Sequence, residues 1–369
     1  IAIGRAILTE DPSARLLYIG TKKGLEREVV PREGFAFVSI SSGGVAGKSP
    51  VKAARNILLA SAGVAQSLVF LLRFRPHVVI GTGGYVSAPV IFAAYLLRIP
   101  ILLQEQNVLP GVTTRFLSRL AREVALPFPE SRQYMPDKAK CFVSGNPVRP
   151  DLVNTTRQEA ARRLGLDPGK KTLLVMGGSR GARCLAELGM KLIAFFSIHS
   201  EFQMILITGK EYYGEVLRTL EKEVESGDTG YYITEERARA KENVVIIPYM
   251  HDIGTALAIT DLALARAGAM TISEFLELGI PSILVPSPNV ARNHQEYNAK
   301  TVERRGAAIV ISEARLDYES LSATILSLLG DEGRLSTMAK AAKEASRPGA
   351  ASHIAKRAMS LAFRRFAGG

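Results

Sequence analysis

The sequence predicts an α/β fold of two domains, each built on a parallel sheet with helices on both faces. Short apolar runs that do not alternate with polar residues recur along the chain, as buried parallel strands do. Segments with helical spacing separate them, and 369 residues are sufficient for two domains. In both halves an apolar strand leads into a glycine-rich turn, at VVIGTGG and at LLVMGGS, which indicates two halves of similar design.

The first half is predicted to begin with a helix, because IAIGRAIL has helical spacing, and to continue with a strand at Arg15–Gly20. A parallel α/β domain ordinarily begins with a strand, so we expect a first strand and its loop to be missing from this sequence. The remaining predicted elements of this half are strands at 36–40, 77–80 and 101–104 and helices at 50–73, 88–97 and 112–120.

The second half repeats the alternation after GNPVRPDL (145–152), whose turn residues predict a hinge. The predicted strands are 172–176, 203–208, 244–247, 262–265, 283–285 and 308–311, with a helix at 250–259 and further helices toward the C-terminus. No helix or strand is predicted in the charged stretch 215–241. We expect an N-terminal domain at 1–147, a C-terminal domain at 148–340 and, at 341–369, a helix that packs back on the first domain.

The net charge of +12 is uneven along the chain. The first 150 residues contain 19 basic and 9 acidic side chains, and the rest contain 28 and 26. A basic half attracts phosphorylated substrates, anionic lipid or nucleic acid, and the absence of Trp disfavours nucleic acid. The apolar run 57–72 is shorter than the roughly 20 residues of a membrane span. Its basic flanks, Lys52, Arg55, Arg73 and Arg75, favour a helix that lies on an anionic membrane over a plain core helix.

Two glycine-rich turns, GTGGYVSAP (81–89) and GGSRGA (177–182), each follow a strand and precede a helix. Their glycines permit close approach of the backbone to a phosphate, and tight turns without a ligand are the alternative. Val86 stands where a dinucleotide fingerprint has its third glycine. The loop GGVAGKS (43–49) lacks the Walker A spacing, because Ser42 occupies the first glycine position.

The segment 264–299 carries the strongest site pattern of the chain. A small-residue turn precedes a helix with one acid, Glu274, and a polar cluster at 293–296 follows the next strand. This pattern suits a phosphate at a helix N-terminus and sugar hydroxyls on the acid. His251 and His294 lie near these loops, but the five histidines have no metal-ligand spacing and no Ser-His-Asp pattern. Cys141 and Cys184 are expected to be free thiols.

Six motifs, taken in order, closely resemble the MurG family within glycosyltransferase family 28: GTGGYVSAPV, EQNVLPG, GNPVR, GGSRGA, AGAMTISE and NHQEYNA. The resemblance extends from Ile1 to about Gly330. It implies a GT-B fold, in which two Rossmann-like domains face each other across a cleft. It also implies an inverting hexosyltransferase that moves N-acetylglucosamine from UDP-N-acetylglucosamine to the 4-hydroxyl of undecaprenyl-pyrophosphoryl-N-acetylmuramoyl-pentapeptide. That step converts lipid I to lipid II in peptidoglycan synthesis.

The resemblance further implies an enzyme peripheral to the cytoplasmic face of the membrane. The N-terminal domain would meet the lipid acceptor, and the C-terminal domain would bind the UDP-sugar. No metal and no cofactor is expected.

The resemblance also assigns roles to individual residues. Ser179 would meet the diphosphate, Met250 would read the uracil through its backbone with Arg266 beside it, and Glu274 would hold the ribose. Gln295 would contact the transferred sugar. Ala269, Met270 and Thr271 would form the phosphate turn before the helix. Further donor contacts would be Ile272, Ser273, Asn107 and Arg149. The acceptor diphosphate would meet Gly83, Gly84 and Tyr85.

The family's first loop, with a histidine expected to act in catalysis, is absent from this sequence, so Glu105 is the best remaining candidate for the base or for positioning of the acceptor. The chain as written is therefore expected to bind the donor and to transfer it poorly. Two alternatives remain. One is another GT-B enzyme, such as a UDP-N-acetylglucosamine 2-epimerase or a glycolipid glycosyltransferase. The other is an inactive scaffold that binds nucleotide sugars.

Overall fold

The computed structural model describes residues 1–43, 50–178, 181–225, 230–234 and 236–364, without the side chains of 50–55, 153 and 364. The chain forms two compact units. The first comprises Ile1–Arg149 and Arg347–Gly369, and the second comprises Pro150–Ser346.

The first unit alternates helices and strands from its N-terminus. Its helices up to the second unit are α1 (Ala2–Glu10), α2 (Glu26–Arg32), α3 (Pro50–Phe74), α4 (Ser87–Leu96) and α5 (Val112–Leu117). Its strands are β1 (Leu17–Thr21), β2 (Ala36–Ile40), β3 (Val79–Gly81), β4 (Ile101–Gln104), β5 (Glu123–Leu126) and β6 (Cys141–Val143).

These strands form two parallel sheets, a pair β1–β2 and a four-stranded sheet in the order β3-β4-β5-β6. All four residues of β4 are buried, as expected for a central strand covered on both faces. Helices α3 and α4 pack together, and α4 also contacts α5. By length and composition alone, one helix of the described residues, Asn56–Phe74, could cross a membrane, with a mean hydropathy of 1.8 and 17% of it buried.

The second unit alternates in the same way. Its helices are α6 (Arg157–Leu164), α7 (Arg183–Ile198), α8 (Lys210–Glu225), α9 (Ile253–Ile259), α10 (Ala269–Leu278), α11 (His294–Glu303), α12 (Tyr318–Leu329) and α13 (Glu332–Ala345). Its strands are β7 (Lys171–Met176), β8 (Phe202–Ile207), β9 (Tyr231–Ile233), β10 (Ala238–Ala240), β11 (Val244–Ile247), β12 (Leu262–Ala265), β13 (Ser282–Leu284) and β14 (Ala308–Val310).

The eight strands of this unit form one sheet in the order β14-β13-β12-β7-β8-β11-β10-β9. Neighbouring strands from β14 to β11 are parallel, whereas β9 and β10 form an antiparallel hairpin at one edge. Strand order runs outward in both directions from β7, so the topology switches between β7 and β12. Apolar side chains of the strands, of α7 and of α12 form one buried core.

The C-terminal helix α14 (Ala350–Arg364) returns to the first unit and packs against α1. Ile354, Ala355 and Ala358 are fully buried in a cluster with Ile3 and Leu102. The Nε atom of Arg357 lies 2.9 Å from a carboxylate oxygen of Glu123 at the start of β5, and its guanidinium stacks over the ring of Phe142. An apolar stripe and a cation–carboxylate contact thus attach this helix.

The α/β prediction with parallel sheets is confirmed, and most predicted elements agree with the structure within one or two residues. The helices and strands that were not predicted are α2, α6, α8, α11, β5, β6, β9 and β10. Helix α2 contains an internal proline, and strands β5 and β6 are short. Strands β9 and β10 and most of α8 lie in the charged stretch 215–241, where no helix or strand was predicted.

Candidate functional site

The loops that follow the parallel strands of the second unit all lie at one edge of its sheet, because parallel strands place their carboxyl ends together. Open α/β sheets bind ligands at this edge, at the point where the strand order reverses. Here that point lies between β7 and β12. The loops at Gly177–Ala182 and Arg266–Gly268 follow these two strands, so the topology brings together two motifs that are about 90 residues apart in the sequence.

The turn after β7 is shaped by glycines that tolerate no side chain. A Cβ on Gly177 would lie 2.1 Å from the backbone nitrogen of Ala182. Gly178 and Gly181 have φ angles of 81° and 74°, in the left-handed region that favours glycine. Helix α7 begins directly after this turn. The predicted diphosphate contact, Ser179, lies outside the described residues, as does Arg180.

The turn after β12 leads into the N-terminus of α10. Gly268 is the N-cap residue, with extended φ and ψ angles, and as a glycine it has no side chain with which to cap this helix end. The first N–H groups of a helix lack intrahelical partners and carry the positive end of its dipole. Ala269, Met270 and Thr271 supply these groups and are partly exposed. This end of α10 therefore offers backbone donors to an anion.

The other predicted residues of α10 differ in exposure. Ile272 and Ser273 are buried, and the hydroxyl of Ser273 donates to the carbonyl of Ala269 at 2.9 Å. These two side chains therefore pack the helix onto its unit. Glu274 is partly exposed, one turn into the helix, where a carboxylate remains accessible to hydroxyl groups.

Gln295 lies in the first turn of α11, and its side-chain oxygen accepts from the backbone N–H of Ser287 at 2.8 Å. Its amide group is thereby tied to the loop after β13. Arg292 and Asn293 just before it both have positive φ angles, 56° and 52°, which is costly for side chains other than glycine. Asn298 is buried and donates to the carbonyl of Ala267 at 3.3 Å, which joins α11 to the loop between β12 and α10. No role was predicted for this asparagine from the sequence.

Met250 follows β11 and is partly exposed at the same sheet edge. Its neighbour Tyr249 packs against the ring of His251, with 4.8 Å between the ring centroids. The Nζ atom of Lys210, which follows β8, lies 5.2 Å from the centroid of the Tyr249 ring. The predicted uracil position is therefore flanked by an aromatic side chain and a cation.

The guanidinium of Arg266 points into its own unit. It donates to the carbonyl of Val285 at 3.2 Å and to the sulfur of Cys184 at 3.0 Å, and it lies 2.6 Å from the carboxylate of Glu313. Burial raises the pKa of the Cys184 thiol. Through these contacts Arg266 links the loops after β12, β13 and β14 to the start of α7.

The predicted acceptor residues follow β3 in the first unit. Gly83 and Gly84 have φ angles of 91° and 76°, and a Cβ on either would meet no atom within 4 Å. Their conformation, and not crowding, therefore requires glycine. Tyr85 is half exposed, and its carbonyl accepts from the hydroxyl of Ser42 at 3.3 Å.

Glu105 and Asn107 follow β4, and both belong to one hydrogen-bonded loop. Glu105 is only 5% exposed, and its carboxylate accepts from the backbone N–H groups of Gln106, Asn107 and Gly111. Arg149 is the last residue of this segment of the first unit and is partly exposed. Within the part of the chain that the structure describes, no three His, Cys, Asp or Glu side chains are grouped to hold a metal ion.

Two known protein domains match this chain, one in its first half and one in its second. Residues 1–126 match the glycosyltransferase family 28 N-terminal domain, and residues 172–354 match the C-terminal domain of that family. A relative from Symbiobacterium thermophilum is 40% identical over 98% of this chain and 92% of its own length. It is named UDP-N-acetylglucosamine--N-acetylmuramyl-(pentapeptide) pyrophosphoryl-undecaprenol N-acetylglucosamine transferase. The chain belongs to the MurG group of glycosyltransferase family 28.

A second member of this family, from Desulforudis audaxviator, carries the same name and is 41% identical over 96% of this chain and 92% of its own length. The crystal structure of Acinetobacter baumannii MurG is similar in fold, with a TM-score of 0.71, 24% identity and coverage of 97% of this chain and 95% of that one. The predictions of a GT-B fold and of a hexosyltransferase of this family are thereby confirmed.

Proposed function

We propose that this protein transfers N-acetylglucosamine from UDP-N-acetylglucosamine to the 4-hydroxyl of undecaprenyl-pyrophosphoryl-N-acetylmuramoyl-pentapeptide, with inversion at the sugar carbon. The activity in the names of relatives about 40% identical over nearly the whole chain supports this reaction. The observation that carries the proposal is the switch point of the second sheet, where the glycine turn after β7 lies beside the N-terminus of α10, whose N-cap residue is a glycine.

The UDP part of the donor fits the chemistry of this sheet edge. The backbone N–H groups of Ala269, Met270 and Thr271 would bind the diphosphate, and the carboxylate of Glu274 would accept from the ribose hydroxyls. The backbone of Met250 would read the uracil, and Gln295 would contact the transferred sugar. Following the family resemblance, we also assign donor contacts to Ser179, Asn107 and Arg149 and acceptor contacts to Gly83, Gly84 and Tyr85.

The reaction breaks the bond between C1 of the sugar and the β-phosphate oxygen and forms a bond from C1 to the acceptor oxygen. UDP leaves with the bonding electron pair, and the acceptor hydroxyl gives up its proton. Negative charge therefore develops on the β-phosphate. Helix N–H groups that already point at this position stabilise the charge without reorganisation.

We also propose that the first unit binds an anionic membrane surface through exposed apolar side chains, here named the apolar face. They are Ile57, Leu58 and Leu72 of α3, Phe92, Tyr95 and Leu96 of α4, and Val112 and Phe116 of α5. Exposed Arg115 lies on α5 and exposed Arg119 lies in the turn after it, on either side of Phe116. Apolar residues with basic neighbours suit a helix surface that lies in the interface of an anionic bilayer. Such docking would place the enzyme at the cytoplasmic face, where its lipid-linked acceptor is anchored.

The proposed reaction is tested by incubating the chain with UDP-N-acetylglucosamine and the lipid-linked acceptor and measuring UDP release and disaccharide formation. We expect both products in equal amounts. The donor site is tested by titrating UDP-N-acetylglucosamine into Glu274→Ala, with exposed Glu221→Ala on α8 as the control. Loss of charge-assisted hydrogen bonds should weaken binding about tenfold to hundredfold in the first variant only.

A 2′-deoxyribose analogue of the donor sharpens this test. Wild-type protein should bind the analogue more weakly than the donor, and Glu274→Ala should bind the two alike. Wild-type affinity in Glu274→Ala would refute the assignment of the ribose contact. Release of the manno sugar from the donor without acceptor would instead identify a 2-epimerase.

A further inference from the structure

The carboxylate of Glu105 lies at the centre of the loop that follows β4, and both of its oxygens are engaged. Oε1 accepts from the backbone N–H groups of Gln106 and Asn107, each at 3.0 Å, and Oε2 accepts from the N–H of Gly111 at 3.2 Å. The backbone from 105 to 111 is therefore wrapped around one buried charge. Gly111 is the N-cap residue of α5, so the same carboxylate joins the end of β4 to the start of that helix.

A second buried side chain holds the loop from the end of β6, which is separated from β4 by β5. Asn146, which follows β6, accepts from the amide of Gln104 at 3.1 Å and donates to the carbonyl of Gln106 at 3.0 Å. Gln104 and Asn146 are 1% and 5% exposed. Buried polar groups of this kind are satisfied only in one arrangement, so the network specifies the path of the loop.

The residue whose position this network fixes is Asn107. Its backbone N–H and, at 3.4 Å, its side-chain amide both donate to Oε1 of Glu105. The carboxylate therefore sets both the position and the orientation of an asparagine that remains partly exposed. The proposed function assigns a donor contact to this asparagine.

A general base needs an oxygen within reach of the proton it removes. Glu105 is 5% exposed, and both of its carboxylate oxygens are already occupied by backbone N–H groups of its own loop and not turned toward a substrate. We infer that Glu105 is not the base but a positioning residue, which acts on the reaction by presenting Asn107 to the donor. The predicted effect of Glu105 on sugar transfer rests on the proposed function, whereas its predicted effect on the structure of the loop does not.

The experiment compares Glu105→Gln, Glu105→Ala and Asn146→Ala with exposed Asp137→Asn of the same unit as the control. Glutamine keeps one oxygen for Gln106 and Asn107 but turns an amide N–H₂ toward the N–H of Gly111. We expect the KM for UDP-N-acetylglucosamine to rise roughly tenfold in Glu105→Gln and more in Glu105→Ala, with a smaller change in kcat. The acid limb of the pH–rate profile should keep its wild-type position in Glu105→Gln. Asn146→Ala, which removes no acid or base, should raise the same KM.

Amide hydrogen exchange provides a measurement that does not depend on catalysis. Residues 106–111 should exchange faster in Glu105→Ala than in wild type or Asp137→Asn, and circular dichroism shows whether each variant is folded. If Glu105→Ala does not fold, Glu105→Gln and Asn146→Ala carry the comparison.

Two results would overturn the inference. One is a loss of kcat of more than about a hundredfold in Glu105→Gln with an unchanged KM and no acid limb, which is the behaviour of a base. The other is unchanged exchange of the loop in every folded variant. Failure of the wild-type protein to transfer the sugar would overturn the proposed function instead, and the exchange result would still decide the loop's dependence on Glu105.

Discussion

Arg266 and Glu313 form an ion pair in which Nη1 of the arginine lies 2.6 Å from Oε2 of the glutamate. The pair joins the loop after β12 to the loop after β14, across the intervening strand β13. The same guanidinium also donates to the carbonyl of Val285 and to the sulfur of Cys184. One side chain, 12% exposed, thus braces the loops around the proposed phosphate turn.

Arg266→Lys tests this brace. An ammonium group on a flexible stem cannot reproduce several fixed N–H directions, so buried acceptors lose partners at a cost of about 1–3 kcal/mol. We expect a lower urea midpoint and weaker binding of UDP-N-acetylglucosamine, measured by circular dichroism and by titration. Arg315→Lys, an exposed arginine two residues beyond Glu313, is the matched control. Equal behaviour of the two variants would show that the brace has no energetic role.

Gly177→Ala tests the turn after β7 through a backbone collision. The added Cβ would lie 2.1 Å from the nitrogen of Ala182, and backbone atoms cannot move aside cheaply. We expect weaker donor binding and lower stability, by about 1–3 kcal/mol as in overpacked sites. The control is Gly214→Ala on the exposed side of α8, where a Cβ meets no atom within 4 Å. It should stabilise the protein by about 0.5–1 kcal/mol, as alanine does in a helix.

The double variant Tyr95→Asp with Phe116→Asp tests the apolar face. Charges at these exposed positions oppose insertion into a bilayer interface, so we expect less protein to sediment with vesicles of phosphatidylcholine and phosphatidylglycerol. Salt should weaken wild-type binding through screening. Ile198→Asp, at a 79% exposed position of the second unit, is the control. Equal loss of binding in the control, or unchanged binding in the double variant, would contradict docking through this face.

Glu26 gives the stability of the first unit a dependence on pH. Burial alone would raise the pKa of its carboxyl, but hydrogen bonds from the N–H of Thr21, from the N–H of Glu26 itself and from the hydroxyl of Thr21 together outweigh burial and hold the pKa below its ordinary value. A lowered pKa in the folded state contributes stability above the unfolded value, near 4.3, and this stability is lost as the pH falls through the folded pKa.

Glu26→Gln should therefore lower the urea midpoint at pH 7 and bring variant and wild type closer together at pH 3. Circular dichroism at both pH values measures the difference. A constant difference between the two proteins from pH 7 to pH 3 would show that ionisation of Glu26 does not contribute.

Much of the architecture could be predicted because strands buried on both faces consist mostly of apolar residues. Strands β4, β11 and β12 have the bounds that their apolar runs predict. The hairpin β9–β10 could not be found in this way. Its strands have three residues each and lie in a charged stretch, and they exist because β10 pairs with the edge of β11. That pairing is non-local and leaves no periodic signal in so short a segment.

The residues of the candidate site could likewise be predicted only in part. The glycine turns and the small residues before α10 could be predicted, since positive φ angles and close backbone approach require those residue types. Asn298 and Asn146 were missed, because each acts through a hydrogen bond to a segment 31 or 40 residues away. No spacing rule connects such partners.

The sequence by itself determined the α/β class, the two glycine-rich turns and the family resemblance. The reason is that backbone conformation and the pattern of burial depend on residues that are close together in the sequence. The tertiary structure alone decided which groups are still available for chemistry. Glu105 and Arg266 both looked like site residues in the sequence. In the folded chain the carboxylate of Glu105 is surrounded by backbone N–H groups, and the guanidinium of Arg266 is held by Val285, Cys184 and Glu313. The physical reason is that a buried charge takes its partners from distant segments, and only the fold brings those segments together.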